Sequence, residues 1–111
     1  MLNKSISSLL LIGLIVVTNL VYAAYGVPVK IKSVESHGAD VSIYIEGNIG
    51  DPAGCDTAVL QSQAFINNDE GLQKTYSAAL AALASQRDVQ LLISTGACRY
   101  NKPVVLGIRV N

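Results

Sequence analysis

Residues 67–86 read NNDEGLQKTYSAALAALASQ and carry a helical rhythm. Leu72, Tyr76, Ala79, Leu80 and Leu83 fall on one helix face at spacings of four, three, one and three. Asn67 or Asn68 offers an N-cap, and Asp69 and Glu70 place negative charge at the positive end of the helix dipole. The stretch predicts a helix over residues 70–86. The segments flanking it alternate with a period near two, so the fold is decided by how strands distribute about this helix.

Before the helix, Val27, Val29 and Ile31 alternate with Pro28, Lys30 and Lys32, which predicts a half-buried strand over 27–34. Pro28 suits a strand end or an edge. Residues 36–40 (SHGAD) read as a turn in which Gly38 is free to take positive φ. Val41, Ile43 and Ile45 against Ser42, Tyr44 and Glu46 give a second strand over 41–46 and hence a hairpin. Residues 47–54 hold three glycines, Asp51 and Pro52, and read as an exposed loop. Residues 55–66 resume strand character, with Val59, Leu60, Phe65 and Ile66 as apolar positions, but their poor alternation predicts a bulge or bend. After the helix, Val89, Leu91 and Ile93 mark a fourth strand over 89–94, residues 95–103 a loop, and Val104, Leu106, Ile108 and Val110 a fifth strand over 104–110.

Three strands, one helix and two strands is the element order of an OB-fold, a small Greek-key barrel. The fold class expected is therefore mostly β with one helix, an OB-fold-like five-stranded barrel. An open α+β sheet with the helix on one face has the same order and is the alternative.

The N-terminus has the layout of a secretory signal peptide: Lys4, an apolar run from Ile6 to Val17, then Val21-Tyr22-Ala23 with small residues where a signal peptidase reads. Cleavage after Ala23 makes residues 1–23 the signal peptide and 24–111 a single domain, exported to the periplasm or secreted. The competing reading is an uncleaved anchor. Its apolar core, Leu9 to Val17, is about half the roughly 20 residues a spanning helix needs. No second apolar run follows, so no stable membrane span is expected after processing. Cys55 and Cys98 are the only cysteines, and two cysteines in an exported chain pair. Closing that loop stabilises a small domain by about 4 kcal/mol in the chain-entropy model.

Without Lys4, seven Lys and Arg face eight Asp and Glu. A near-neutral surface does not steer toward nucleic acid or anionic lipid. Charged residues are 14% of the whole chain, below the roughly 25% usual for soluble domains, which hints at surface covered in an assembly. The helix face opposite Leu72 and Leu83 points the same way: Ser77, Ala78, Ala81, Ala82 and Ser85 are small and uncharged, with Lys74 the main charge. Small residues four apart let helices approach closely. A subunit contact in a homo-oligomer, an intrachain partner and the bare helix preference of alanine all account for it.

Residues 72–84 (LQKTYSAALAALA), followed by residues 85–91 (SQRDVQL) and Gly96-Ala97-Cys98, resemble a family of small exported bacterial proteins. Their element order is similar to the B subunits of subtilase-cytotoxin-type toxins. That resemblance implies an OB-fold whose helices face one another across a ring of five subunits, and a cell-surface glycan as ligand. Sugar sites lean on aromatic faces with a few polar groups. This chain has no Trp and one Phe. Tyr76 falls on the helix's apolar side, leaving Tyr25, Tyr44 and Tyr100 as ligand-binding candidates.

Enzymatic chemistry finds no support. His37 is the only histidine and sits in the predicted turn, and no strand-to-helix nucleophile elbow or phosphate-cradling glycine loop is present. Asp51, Asp56, Asp69, Glu70, Asn67 and Asn68 do not follow the spacing of a calcium loop. No catalytic residue, metal or cofactor is expected. The sequence thus predicts a non-enzymatic binding protein, an oligomeric glycan-binding subunit. The alternative is a monomeric periplasmic inhibitor or envelope accessory protein that binds an envelope protein through loops 47–54 and 95–103.

Overall fold

Six strands and one helix follow one another in the computed structural model, which describes residues 23–111: β1 (Ala23–Tyr25), β2 (Val29–His37), β3 (Asp40–Ile45), β4 (Gln63–Ile66), α1 (Leu72–Ser85), β5 (Asp88–Arg99) and β6 (Lys102–Val110). The leader expected over residues 1–23 lies, apart from Ala23, outside the described residues. Among those residues no helix is long and apolar enough to cross a membrane.

The chain is mostly β, and five strands close into a ring. β2 pairs with β3, β3 with β4, β4 with β6, β6 with β5, and β5 returns to β2. Every contact is antiparallel except β4–β6, where Phe65 lies opposite Val104 and Ile66 opposite Val105. From β2 onward the order is three strands, helix, two strands, as the sequence predicts. β1 is an addition: Ala23–Tyr25 pairs with Leu92–Ser94, further along the edge of β5 that β2 occupies. A three-residue strand is too short for alternation to reveal it.

Alternation fills the ring. Val41, Ile43 and Ile45 of β3, Ala64 and Ile66 of β4, Val89, Leu91 and Ile93 of β5, and Val105 of β6 are buried in one cluster with Ile31. Their neighbours Asp40, Ser42, Tyr44, Gln63 and Phe65 take the outer face, because successive strand side chains point to opposite sides.

α1 lies against β2, β4 and β6. It buries Thr75, Ala79 and Ala82, with Leu72, Tyr76 and Leu83 packed around them. This corrects the helical face drawn from the sequence in two places. Ala82, placed there on the outer contact face, is 1% exposed and belongs to the core, while Leu80, placed in the core, is 42% exposed. The buried stripe is turned toward Ala82 because small side chains let the helix axis approach the ring closely. The helix starts at Gly71 with no side-chain cap, not at Asn67 or Asn68. Asp69 instead accepts the Gly71 N–H at 2.7 Å, and Asn67 Nδ2 donates to Asp69 at 2.7 Å. At the other end Gln86 adopts left-handed φ of 57°, and the Arg87 N–H closes on Ala82 O at 3.1 Å. Lys30 donates to Gln86 O and pairs with Asp88, tying β2 to this corner.

Two further expectations need correcting. The third strand is only Gln63–Ile66, and residues 55–62 belong to the preceding loop. Residues 95–103 are not a loop, because β5 runs on to Arg99 and meets β6 across a two-residue turn, Tyr100–Asn101. The glycine that suggested a loop marks a register shift between Ile93 and Cys98. There the buried Ser94 Oγ accepts the N–H groups of Gly96 and Ala97 at 3.2 and 3.0 Å.

The Cys55–Cys98 disulfide is formed, with the Cα atoms 5.6 Å apart. It fastens the long loop between β3 and β4 to the β5–β6 hairpin. That loop is densely held. The Asp51 carboxylate accepts the N–H groups of Cys55 and Asp56 at 2.7 and 3.0 Å, and Asn48 Oδ1 those of Gly50 and Gln61 at 3.0 and 3.3 Å. Ile49, expected in an exposed loop, is buried in the core, its N–H bonded to Gln61 O at 2.6 Å.

Candidate functional site

Two hairpin turns stand at one end of the outer face of β2, β3 and β4. In the first, Gly38–Ala39 joins β2 to β3, and Gly38 has φ of 60°, the positive value expected of it. In the second, Tyr100 and Asn101 have φ of 51° and 60°. Two successive positive φ values between paired strands match a type I′ turn, whose twist suits a hairpin. Tyrosine is an uncommon occupant of that region, and its backbone conformation costs about 1–2 kcal/mol relative to right-handed alternatives.

The strained turn aims Tyr100 across the sheet. Its ring meets Phe65 of β4 edge to face, with centroids 5.3 Å apart and planes at 61°. Such a pair contributes about 0.5–1.5 kcal/mol beyond area burial. The Tyr100 hydroxyl donates to Asp40 Oδ2 at 3.4 Å, and the Arg99 guanidinium lies 5.4 Å from the Tyr100 ring centroid and pairs with Asp40. Even so, Tyr100 remains 69% exposed. Beneath it lies a cleft of about 320 Å³ lined by Glu35, His37, Asp40, Ser42, Gln63, Phe65 and Tyr100.

Strand register assembles this lining. Glu35 lies opposite Ser42, Ser42 opposite Phe65, and His37 opposite Asp40. Ser42 is buried in the cleft, its hydroxyl accepting from Gln63 Nε2 at 3.4 Å. Glu35 and His37 are exposed and have no side-chain partner among the described residues. The cleft thus offers an aromatic ring, a hydroxyl, an amide, an imidazole and an unpaired carboxylate on one wall of sheet.

Of the aromatic residues drawn from the sequence, Tyr100 lines the cleft and Tyr44 shares its face. Tyr44 sits in the next cross-strand row, between Ser33 and Gln63. Tyr25 is elsewhere, with the Arg109 guanidinium 4.2 Å from its ring centroid. It borders a second cavity of about 520 Å³, together with Val27, Asn48, Ile49, Asp51, Pro52 and Ile93. There the polar side chains Asn48 and Asp51 are engaged in holding their own loop, so the first cleft is the better equipped to orient a ligand.

Sequence reasoning missed Phe65, Glu35, Ser42 and Gln63 as lining residues. Their outward positions follow once the register of β2, β3 and β4 is known. Phe65 reads from the sequence only as an apolar position of the third strand, and the poor alternation of residues 55–66 hides which side of the sheet it takes. His37, read as a turn residue, ends β2 and enters the cleft, but no hydrogen bond links it to Ser42 or to an acid, and Asp40 is held by Arg99. Among the described residues no group of three or more His, Cys, Asp or Glu side chains is arranged to hold a metal ion.

Of the proposed contact residues on α1, Ser77, Ala81 and Ser85 are exposed, Ala78 is half-buried and Ala82 is internal. Ser85 bonds back to Ala81 O at 2.8 Å. Comparison with protein-family models, curated proteins and solved structures finds no match, so the site stands on its own geometry.

Proposed function

We propose that this chain is an exported, non-enzymatic binding subunit whose ring of strands is an OB-type barrel and whose Tyr100 cleft takes a cell-surface glycan. The observation that carries the reading is the position of the cleft. OB-folds bind oligosaccharides and oligonucleotides on the face of their second and third strands, between the loops joining strands one to two and four to five. Counted from β2, those features are β3 and β4, the Gly38–Ala39 turn and the Tyr100–Asn101 turn. The chemistry agrees. A sugar presents an apolar C–H face and a rim of hydroxyls, which an exposed aromatic ring with a few convergent polar groups matches. A cleft of about 320 Å³ lies at the small end of the roughly 300–1,000 Å³ usual for ligand pockets, which suits the terminal residue of a glycan. A glycan array probed with the processed protein tests the reading. Hits that Tyr100→Ala abolishes support it, and an array without hits removes it.

Assembly is the second half of the proposal. The outward face of α1 presents Ser77, Leu80, Ala81 and Ser85, with Lys74 its one charge, and we assign it as the contact of a homo-oligomer. Light scattering at micromolar concentration should report an oligomer that Ala81→Glu dissociates into folded monomer. A strict monomer in the parent protein removes this half alone. Mass spectrometry of native material tests export: loss of residues 1–23 is expected, and the full-length polypeptide would overturn it.

One observation favours the alternative of a monomeric inhibitor or envelope accessory protein. Val59 and Leu60, on the loop that the disulfide holds, are 50% and 75% exposed. Capture of an envelope protein that Leu60→Ser abolishes, with no response on glycans, selects that reading.

A further inference from the structure

Resting on the glycan reading of the cleft, we propose that Glu35 makes it charge-selective: it prefers a saccharide bearing an amino group to its neutral counterpart, and the neutral one to its acidic counterpart. Besides the His37 imidazole, three charged side chains stand at the cleft, and their states differ. Asp40 is ion-paired to Arg99 and accepts from the Tyr100 hydroxyl. Arg99 in turn is half-buried, flanked by Asp40 and by the Tyr100 ring. These two cancel, and the Arg99 guanidinium already has its carboxylate. Glu35 is exposed and without a partner on β2 or on the facing strand, where Ser42 is its neighbour. No unpaired Lys or Arg lines the cleft. A ligand entering beneath Tyr100 therefore meets one uncompensated negative charge.

The remaining lining fits the same ligand. Ser42 and Gln63 already share a hydrogen bond and can still accept or donate to hydroxyls. The Tyr100–Phe65 pair supplies an apolar aromatic wall against which the C–H face of a sugar can pack. An acidic sugar would need a free cationic donor, since anion recognition rests on Arg, Lys or helix N-termini. Arg99 is not among the lining residues; its charge is matched by Asp40, and its remaining unpartnered donor, Nε, is buried away from a ligand.

The test is an array of matched triplets that differ only in the terminal residue: glucosyl, glucosaminyl and glucuronyl, and galactosyl, galactosaminyl and galacturonyl, on one common linker. Expected is about a fivefold affinity step from amine to neutral and again from neutral to acid, the scale of one exposed ion pair, shrinking as salt is raised. Glu35→Gln should erase the amine-to-neutral step, while Glu46→Gln, at an exposed carboxylate just past the far end of β3, should leave the order intact. Glu35→Gln should melt with the parent, having no partner to lose. Binding in which acidic sugars lead, or an order that Glu35→Gln leaves unchanged, overturns the charge assignment while the glycan reading stands. An absence of binding to every member of both triplets and to the wider array overturns the glycan reading and this inference with it.

Discussion

The two turns that flank the cleft solve the same geometric problem with different residues. Gly38–Ala39 reverses the chain with a glycine at φ of 60°, where nothing lies within 4 Å of an added Cβ. Tyr100–Asn101 reverses it with a tyrosine and an asparagine, both at positive φ. The first turn is an economical connection. The second tolerates strain, and the structure around it is correspondingly heavier. The Cys55–Cys98 disulfide lies two residues from Tyr100, and the buried Gln61 amide donates to Asn101 O at 3.3 Å and to Asp56 O at 3.1 Å. Among the described residues Gly38 has no disulfide or buried amide beside it, and its turn is tied to the other only through Asp40, which pairs with Arg99 and accepts from the Tyr100 hydroxyl. Strained residues persist where surrounding structure over-determines them, and they concentrate at ligand sites. The contrast is that the β5–β6 turn holds an aromatic ring over the cleft at a backbone cost, whereas the β2–β3 turn borders the same cleft with a glycine and without that cost.

Removing the braces should break the contrast most. Cys55→Ser with Cys98→Ser opens a link between residues 43 apart and should lower stability by about 4 kcal/mol in the chain-entropy model, measured by urea denaturation. The reduced protein should show faster amide exchange at Tyr100 and Asn101 than at Gly38 and Ala39. Equal exchange at both turns would mean that the disulfide does not support the second one. Gln61→Leu comes next. It leaves Asn101 O and Asp56 O without their donor but also removes the buried, unpartnered Gln61 Oε1, so it should cost about 1–2 kcal/mol, and it should weaken glycan binding although Gln61 does not line the cleft. Gly38→Ala is third, at about 1 kcal/mol, a purely backbone effect because the added methyl has room. It should leave binding unchanged. Loss of binding in Gly38→Ala as large as in Gln61→Leu would erase the distinction between the turns.

That distinction was half legible in the sequence. The β2–β3 hairpin could be read because its alternation is clean from Val41 to Ile45 and a glycine stands in the turn. The disulfide followed from a count of two cysteines. The second turn was hidden, since Tyr-Asn carries none of the glycine signal of a hairpin and Gly96 and Pro103 nearby read as loop. In fact Gly96 marks a register shift, and Pro103 lies near the start of β6, opposite Cys98, where a missing N–H is tolerated. Residues 55–62 misled for the opposite reason. Val59 and Leu60 look like strand residues but are exposed on a loop whose order comes from Asp51, Asn48 and Gln61. Polar side chains that replace a sheet ladder leave no periodic trace. Ala82 was ambiguous in principle, because a small residue suits both a close contact between subunits and a close seat on the chain's own ring. Only the placement of the helix decides between them.

The smallest effect is the sharpest test of the Tyr100 turn. Tyr100→Ala keeps positive φ on a residue with a Cβ and loses the Phe65 contact together with the long, exposed hydroxyl bond to Asp40, so it should destabilise by about 1 kcal/mol. Tyr100→Gly loses the same contact but removes the backbone cost of about 1–2 kcal/mol. Offset by the extra entropy that glycine has in the unfolded chain, it should fall within about 0.5 kcal/mol of the parent. The two variants should therefore differ in melting yet fail equally on the glycan array. A glycine variant as unstable as the alanine one would show that the turn carries no strain, and a glycine variant that still binds would show that the ring is not what the turn presents. With strain and stacking nearly cancelling, stability gives no reason for a tyrosine at this position, and the cleft it overhangs supplies one.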